Sequence, residues 1–159
     1  MEKAFDRVKH EILAAKLVDL GVNPLLVLWI SEYLRERKHY TRIRGQCSEI
    51  LEVKSVVPQG SLLSPVLFKL YLLDLFDLIE NSRVYAFADD VKLLGLHKDF
   101  AKTKLDLETL CGWGEKVGLK VNSDKCGLIH FGPVWYPPGL EFQGKTIPSR
   151  DVQRFGSVY

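Results

Sequence analysis

Apolar and polar positions alternate along this chain in blocks that first read as helices. From Lys3 to Leu20 the residues Ala4, Phe5, Val8, Ile12, Ala15 and Val18 recur at helical spacing and Gly21 follows as a stop, so one helix is predicted there. Asn23-Pro24 has the form of an N-cap with proline in the first turn. It opens a second helix carrying Leu25, Leu28, Trp29, Ile30, Tyr33 and Leu34, with a basic end that suits the helix dipole. Strands are predicted at 39–43 and 50–57 around Gly45-Gln46, ended by Pro58-Gln59-Gly60. Ser61 is placed to cap a long leucine-rich helix that has Pro65 in its first turn and runs to about Glu80.

Beyond Glu80 the period changes. Val84-Tyr85-Ala86-Phe87-Ala88 and Val91-Lys92-Leu93-Leu94 are short runs rich in strand-forming residues, parted by Asp89-Asp90, which reads as a hairpin. Residues 99–117 form a plausible helix weakened by Gly112 and Gly114. Short strands are expected around 119–121 and 127–131, a loop over 133–139, and further short strands in the tail at Leu140–Phe142 and 155–159. Helices mixed with antiparallel strands give an α+β fold class.

Composition adds exclusions. The 159 residues favour one domain, and 47% hydrophobic with 26% charged residues is ordinary for a globular chain. The net charge of +2 selects no partner. Cys47, Cys111 and Cys126 have no paired spacing, which argues against a disulfide frame or structural zinc and leads us to expect a reducing, intracellular compartment. The chain opens Met1-Glu2-Lys3, with no apolar leader, and the run 62–79 is interrupted by Lys69, Asp74 and Asp77, so no membrane association is expected. His10, His97 and His130 offer no ligand spacing, and Trp29, Trp113 and Trp135 are read as packing residues.

Two features carry candidate chemistry. Arg35, Arg37, Lys38, Arg42 and Arg44 are clustered, with His39 and Tyr40 among them. Such a segment suits a phosphate backbone, and equally suits a solvated helix end and hairpin. Asp89 and Asp90 are adjacent hard oxygen donors at a hairpin tip, where mutual repulsion is relieved by a cation such as Mg²⁺; a polar turn with both acids in water is the alternative.

Four stretches, taken together, resemble the palm of reverse transcriptases of non-LTR retrotransposons. They are Lys3-Ala4-Phe5-Asp6-Arg7-Val8, Val57-Pro58-Gln59-Gly60-Ser61, Phe87-Ala88-Asp89-Asp90 and Asn122-Ser123-Asp124-Lys125-Cys126, in that order, with Trp29-Ile30-Ser31-Glu32-Tyr33-Leu34 between the first two. The resemblance covers nearly the whole chain and implies a partial palm over 1–132, an antiparallel sheet packed on helices, followed by loop and short strands over 133–159. It implies an RNA-directed DNA polymerase (a nucleotidyltransferase) using Mg²⁺, an RNA template, a DNA primer and deoxynucleoside triphosphates; it is silent on oligomeric state. In that family Asp89 would be the principal metal ligand and Asp90 its weaker neighbour. Phe5 would lie under the nucleotide sugar, where its ring excludes a 2′-hydroxyl. Gln59, Gly60 and Ser61 would lie against the nucleotide and template base, and Lys125 near the triphosphate.

The same resemblance sets limits. The family's other catalytic aspartate lies three residues before the Lys-Ala-Phe-Asp motif, which falls immediately before Met1, and Asp6 cannot replace it. The truncated first strand leads us to expect little polymerase activity from these 159 residues alone. Val56, Ser64 and Leu73 stand where the family often has Gly, Gly and Asn. A nucleic-acid-binding remnant without catalysis is the main competing reading. A nucleotidyl cyclase is a weaker one, because it leaves Pro58-Gln59-Gly60 unexplained.

Overall fold

Helical periodicity first fails at Val8 and Lys9. The computed structural model describes residues 1, 4–35, 37–53, 57, 60–131 and 140–149. In it the helix expected over 3–20 is two pieces, a 3₁₀ turn at Ala4–Arg7 and α1 at His10–Asp19. The Phe5 carbonyl accepts from the Val57 N–H at 3.1 Å, a bond to another segment that a continuous helix would not leave it free to make. Ala4 and Val8 are buried, so their spacing reports a segment threaded through the core rather than one helix face.

The second helix, α2, runs Pro24–Leu34 as expected, with Asn23 Oδ1 accepting from the Leu25 N–H at 2.9 Å. A hairpin arm in two stretches follows. β1 (Arg37–His39) pairs antiparallel with β4 (Leu51–Val53), and β2 (Arg42–Ile43) with β3 (Gln46–Cys47) around Arg44-Gly45. Thr41 and Ser48 join the two stretches, the Ser48 N–H donating to the Thr41 carbonyl and the Thr41 N–H to Ser48 Oγ, both at 2.9 Å.

The long helix, α3, spans Ser64–Leu78, three residues after its expected cap. Ser61 does not cap it. Its Oγ accepts from the Leu63 N–H at 3.2 Å and bonds Tyr33 Oη at 2.8 Å, fixing the loop ahead of the helix to α2. β5 (Arg83–Phe87) and β6 (Asp90–Leu94) form the expected hairpin with Phe87 opposite Asp90. α4 runs unbroken over Phe100–Val117. Gly114 does not weaken it: a Cβ there would come 2.5 Å from the Leu119 carbonyl oxygen, so glycine is required by close backbone approach. Residues 119–121 form no strand. The Leu119 N–H donates to the Gly114 carbonyl at 2.7 Å and closes the helix end instead.

The chain divides into two compact units, residues 1–120 and 121–159. In the second, a 3₁₀ turn at Ser123–Lys125 precedes the antiparallel pair β7 (Leu140–Phe142) and β8 (Lys145–Ile147). The strand expected at 127–131 is reduced to one parallel bridge, Leu128 to Ser149. The loop expected at 133–139 and the strands at 155–159 lie outside the described residues. Helices with antiparallel pairs bear out the α+β class, although each sheet among the described residues has two strands. No helix among them is long and apolar enough to cross a membrane.

The core of the first unit is helical. Leu13 and Leu17 of α1, Leu34 of α2, Leu67, Phe68, Tyr71 and Leu75 of α3, and Trp113 and Val117 of α4 are buried. Tyr71 donates its hydroxyl to the Val117 carbonyl at 2.6 Å, and burial pushes its pKa above the ordinary phenol value. Lys16 lies over the Tyr71 and Trp113 rings at 4.8 and 5.0 Å, donates to the Tyr71 carbonyl at 2.6 Å and pairs with Asp74. The second Asp74 oxygen accepts from Trp113 Nε1 at 3.0 Å. One cation thereby ties α1, α3 and α4 together.

Candidate active site

The β5–β6 hairpin is built by strict alternation. Val84, Ala86, Val91 and Leu93 are half-buried, whereas Arg83, Tyr85, Phe87, Asp90, Lys92 and Leu94 face outward. Phe87 is 85% exposed beside the tip. Only Ala88 and Asp89 make the turn, and Ala88 has φ +50, a left-handed conformation that costs an L residue with a Cβ about 1–2 kcal/mol. Arg44 and Gln143 take the same conformation at the turns of two other hairpins, so it is the geometry of a tight two-residue turn. The result is two consecutive carboxylates carried by a sharply turned, exposed tip, with Lys92 Nζ 3.5 Å from Asp90 Oδ2.

The hairpin is anchored from behind by a residue that sequence reasoning missed. Asp106 of α4 is 2% exposed and accepts from the Asn81 N–H at 3.1 Å and Asn81 Nδ2 at 3.0 Å. Burial pushes this carboxyl up, but hydrogen bonds led by the Asn81 side chain outweigh it and hold it below the ordinary value. Asp106 therefore pins the turn that feeds β5. An acid between Leu105 and Leu107 gives no local sign of burial, so only the fold reveals it.

The amino-terminal segment reaches the same tip. The Met1 nitrogen donates to the Asp89 carbonyl at 2.7 Å. Phe5, four positions on, is half-buried and stacks on Phe68 of α3, with ring centroids 4.5 Å apart and planes 24° apart. Met1 is thus held at Asp89, and Phe5 at Val57 and at Phe68. Gly60 is exposed, with φ +83 and open space where a Cβ would be, so its backbone conformation is what calls for glycine. Gln59 lies outside the described residues. Lys125 is exposed on the 3₁₀ turn of the second unit, beside Asp124, whose carboxyl the Lys145 hydrogen bond at 2.6 Å lowers.

The basic residues lie along the arm and its root. Arg35 follows α2 and pairs with Glu32 at 3.2 Å; Lys38 is on β1, Arg42 on β2 and Arg44 at the turn, all exposed. Arg37 is on β1, and its side chain lies outside the described residues. Residues 40–50 are solvent-exposed throughout, which gives a ribbon with cations open to a large polyanion.

Residues 1–153 match the family described as Reverse transcriptase (RNA-dependent DNA polymerase). The chain belongs to the reverse transcriptase family. Within it, the chain is 36% identical over 167 residues to the probable RNA-directed DNA polymerase from transposon X-element of Drosophila melanogaster, covering 99% of this chain and 18% of that protein. It is 30% identical to the probable RNA-directed DNA polymerase from transposon BS of the same species, over 89% of this chain and 17% of the relative. It is 26% identical to the RNA-directed DNA polymerase from mobile element jockey, over 98% and 18%. This reverse transcriptase chain thus spans less than a fifth of the length of these relatives.

Reverse transcriptases generally use divalent metal ions. Asp89 and Asp90 fit that use as adjacent, exposed, hard oxygen donors. Among the described residues no group of three or more His, Cys, Asp and Glu side chains converges to hold a metal ion.

Proposed function

We propose that this chain is a catalytic segment of an RNA-directed DNA polymerase, adding deoxynucleotides to a primer 3′-hydroxyl under the direction of an RNA template. The paired aspartates on the exposed hairpin tip, in a chain whose residues 1–153 match the reverse transcriptase family, carry the proposal. Asp89 and Asp90 are its metal ligands. Those two carboxylates would hold a divalent ion, Mg²⁺ in this proposal, which would supply activation of the primer hydroxyl and charge stabilisation at the α-phosphate.

Phe5 limits the space beside the nucleotide sugar. Gln59 and Gly60 lie against the nucleotide and template base, and the Ser61 hydroxyl, engaged with Tyr33, holds that loop. Lys125 offers a cation, or a proton, to the departing pyrophosphate. Arg35, Arg37, Lys38, Arg42 and Arg44 contact nucleic-acid phosphates without reading sequence.

A remnant that only binds nucleic acid is not favoured, because the match runs across nearly the entire chain to relatives named as polymerases. The test is primer extension on an RNA template with Mg²⁺, by this chain and by a longer chain that contains it. Extension that is abolished by Asp89→Ala supports the reading. Extension that survives Asp89→Ala unchanged refutes the assignment.

A further inference from the structure

We propose that Phe68 is a positioning residue for sugar selection: through its stacked ring it sets where the Phe5 ring stands. The inference rests on the reading of Phe5 as the residue under the nucleotide sugar, and it goes beyond that reading by locating what fixes the ring.

Phe5 has little local support for a defined rotamer. It sits on a four-residue 3₁₀ turn and is only half-buried. Its backbone is held by the Val57 N–H, but that bond leaves the side-chain torsions free. The contact that defines the ring is the face of Phe68, 4.5 Å away and 24° from parallel. Phe68 is 1% exposed, next to buried Leu67 and one turn before buried Tyr71. A ring so enclosed has few rotamers to choose from.

The same helix also controls the backbone that follows. Tyr71 lies one turn beyond Phe68, and its hydroxyl lies 3.4 Å from the Lys9 nitrogen. α3 therefore touches the segment at residue 5 and at residue 9. A small polar group on a ribose is excluded only if the opposing ring cannot swing aside. Exclusion thus depends on the rigidity of the support as much as on the presence of the ring.

The experiment compares binding of dATP and ATP, in the presence of Mg²⁺ and a primer–template, to a longer chain that contains these residues and extends a primer, by titration calorimetry or saturation-transfer NMR. Wild-type protein should prefer dATP, and Phe5→Ala should bring the ratio towards one. Phe68→Leu should lower the preference by roughly two- to tenfold, the bias that one stacked aromatic pair can supply. In the Phe5→Ala background Phe68→Leu should add nothing to the ratio. Leu75→Ala, an equally buried change two turns along α3, controls for lost stability: it should lower the melting temperature and leave the ratio alone. Phe68→Met, whose unbranched side chain adapts to an irregular gap, replaces the leucine variant if that fails to fold. If Phe5→Ala changes the ratio and neither Phe68 variant does, the inference is overturned and the Phe5 reading stands. If Phe5→Ala leaves the ratio intact, the Phe5 reading falls and takes this inference with it.

Discussion

Removing the carboxylate of Asp74 should destabilise the protein more than removing the ammonium of Lys16, although the two form one ion pair. The asymmetry comes from their surroundings: the Lys16 side chain is 13% exposed and that of Asp74 is 47% exposed. After Asp74→Ala the lysine cation stays nearly enclosed, with the Tyr71 carbonyl and two ring faces, and Trp113 Nε1 loses its acceptor. A charge-assisted hydrogen bond contributes about 1.5–3 kcal/mol, and half-exposure of the acid puts this one at the low end. The orphaned indole N–H adds about 0.5–1 kcal/mol, for a total near 2 kcal/mol. After Lys16→Met the apolar stem remains, the desolvated charge is gone, and Asp74 is free to hydrate while still accepting from Trp113. Two cation–π contacts of about 0.5–1 kcal/mol each are lost, offset by relief of the desolvation cost, leaving about 1 kcal/mol or less. Urea unfolding at unchanged m gives the comparison directly, and the Asp74→Ala melting temperature should fall by roughly 4–8 °C. A Lys16→Met variant less stable than Asp74→Ala would refute the reasoning, since it would mean that the cation is worth more than its burial costs.

Three further outcomes follow from particular contacts. Asp106 has a folded pKa below the ordinary carboxylate value, so its contribution is complete above about pH 4. It is lost as pH falls through the depressed folded value, and Asp106→Asn should flatten the acid limb of stability against pH. Gly114→Ala should destabilise by about 2 kcal/mol or more despite alanine's advantage of about 1 kcal/mol in helix propensity, measured by denaturant midpoint, because the added Cβ meets backbone rather than a movable side chain. Arg42→Ala and Arg44→Ala should each weaken binding to an RNA–DNA duplex about equally across sequences and reduce the slope of log affinity against log salt by about 1; unchanged slopes would remove the arm from the interface.

What the sequence disclosed was mostly local. Asn23-Pro24 announced α2 because a cap and a proline act within one turn. The hairpin carrying Asp89-Asp90 was legible because a period of two is unambiguous over five residues on each side. The break at Val8-Lys9 was not, because threading through a core and lying along a helix bury residues at similar spacing; the Val57 bond that separates them comes from fifty positions away. Ser61 looked like a cap because serine before a proline-led helix usually is one, whereas here its hydroxyl is drawn to Tyr33. Gly114 was read as a weakness for want of knowing what stood over it. Of the candidate site, Asp89, Asp90 and Phe5 were visible as motif residues. The supports behind them, Asp106 and Phe68, look in sequence like ordinary members of amphipathic helices.

One stripe along α3 meets Phe5 through Phe68, Lys9 and Val117 through Tyr71, and Lys16 and Trp113 through Asp74. These three points occupy about two turns of a single helix. A small slide of α3 along its axis carries all three contacts with it, so their mutual spacing survives a displacement that would alter it if each hung from a separate element. The helix works as a common ruler: noise in its position is shared and cancels, while bending it between residues 68 and 74 is what would put the Phe5 ring out of step with the rest.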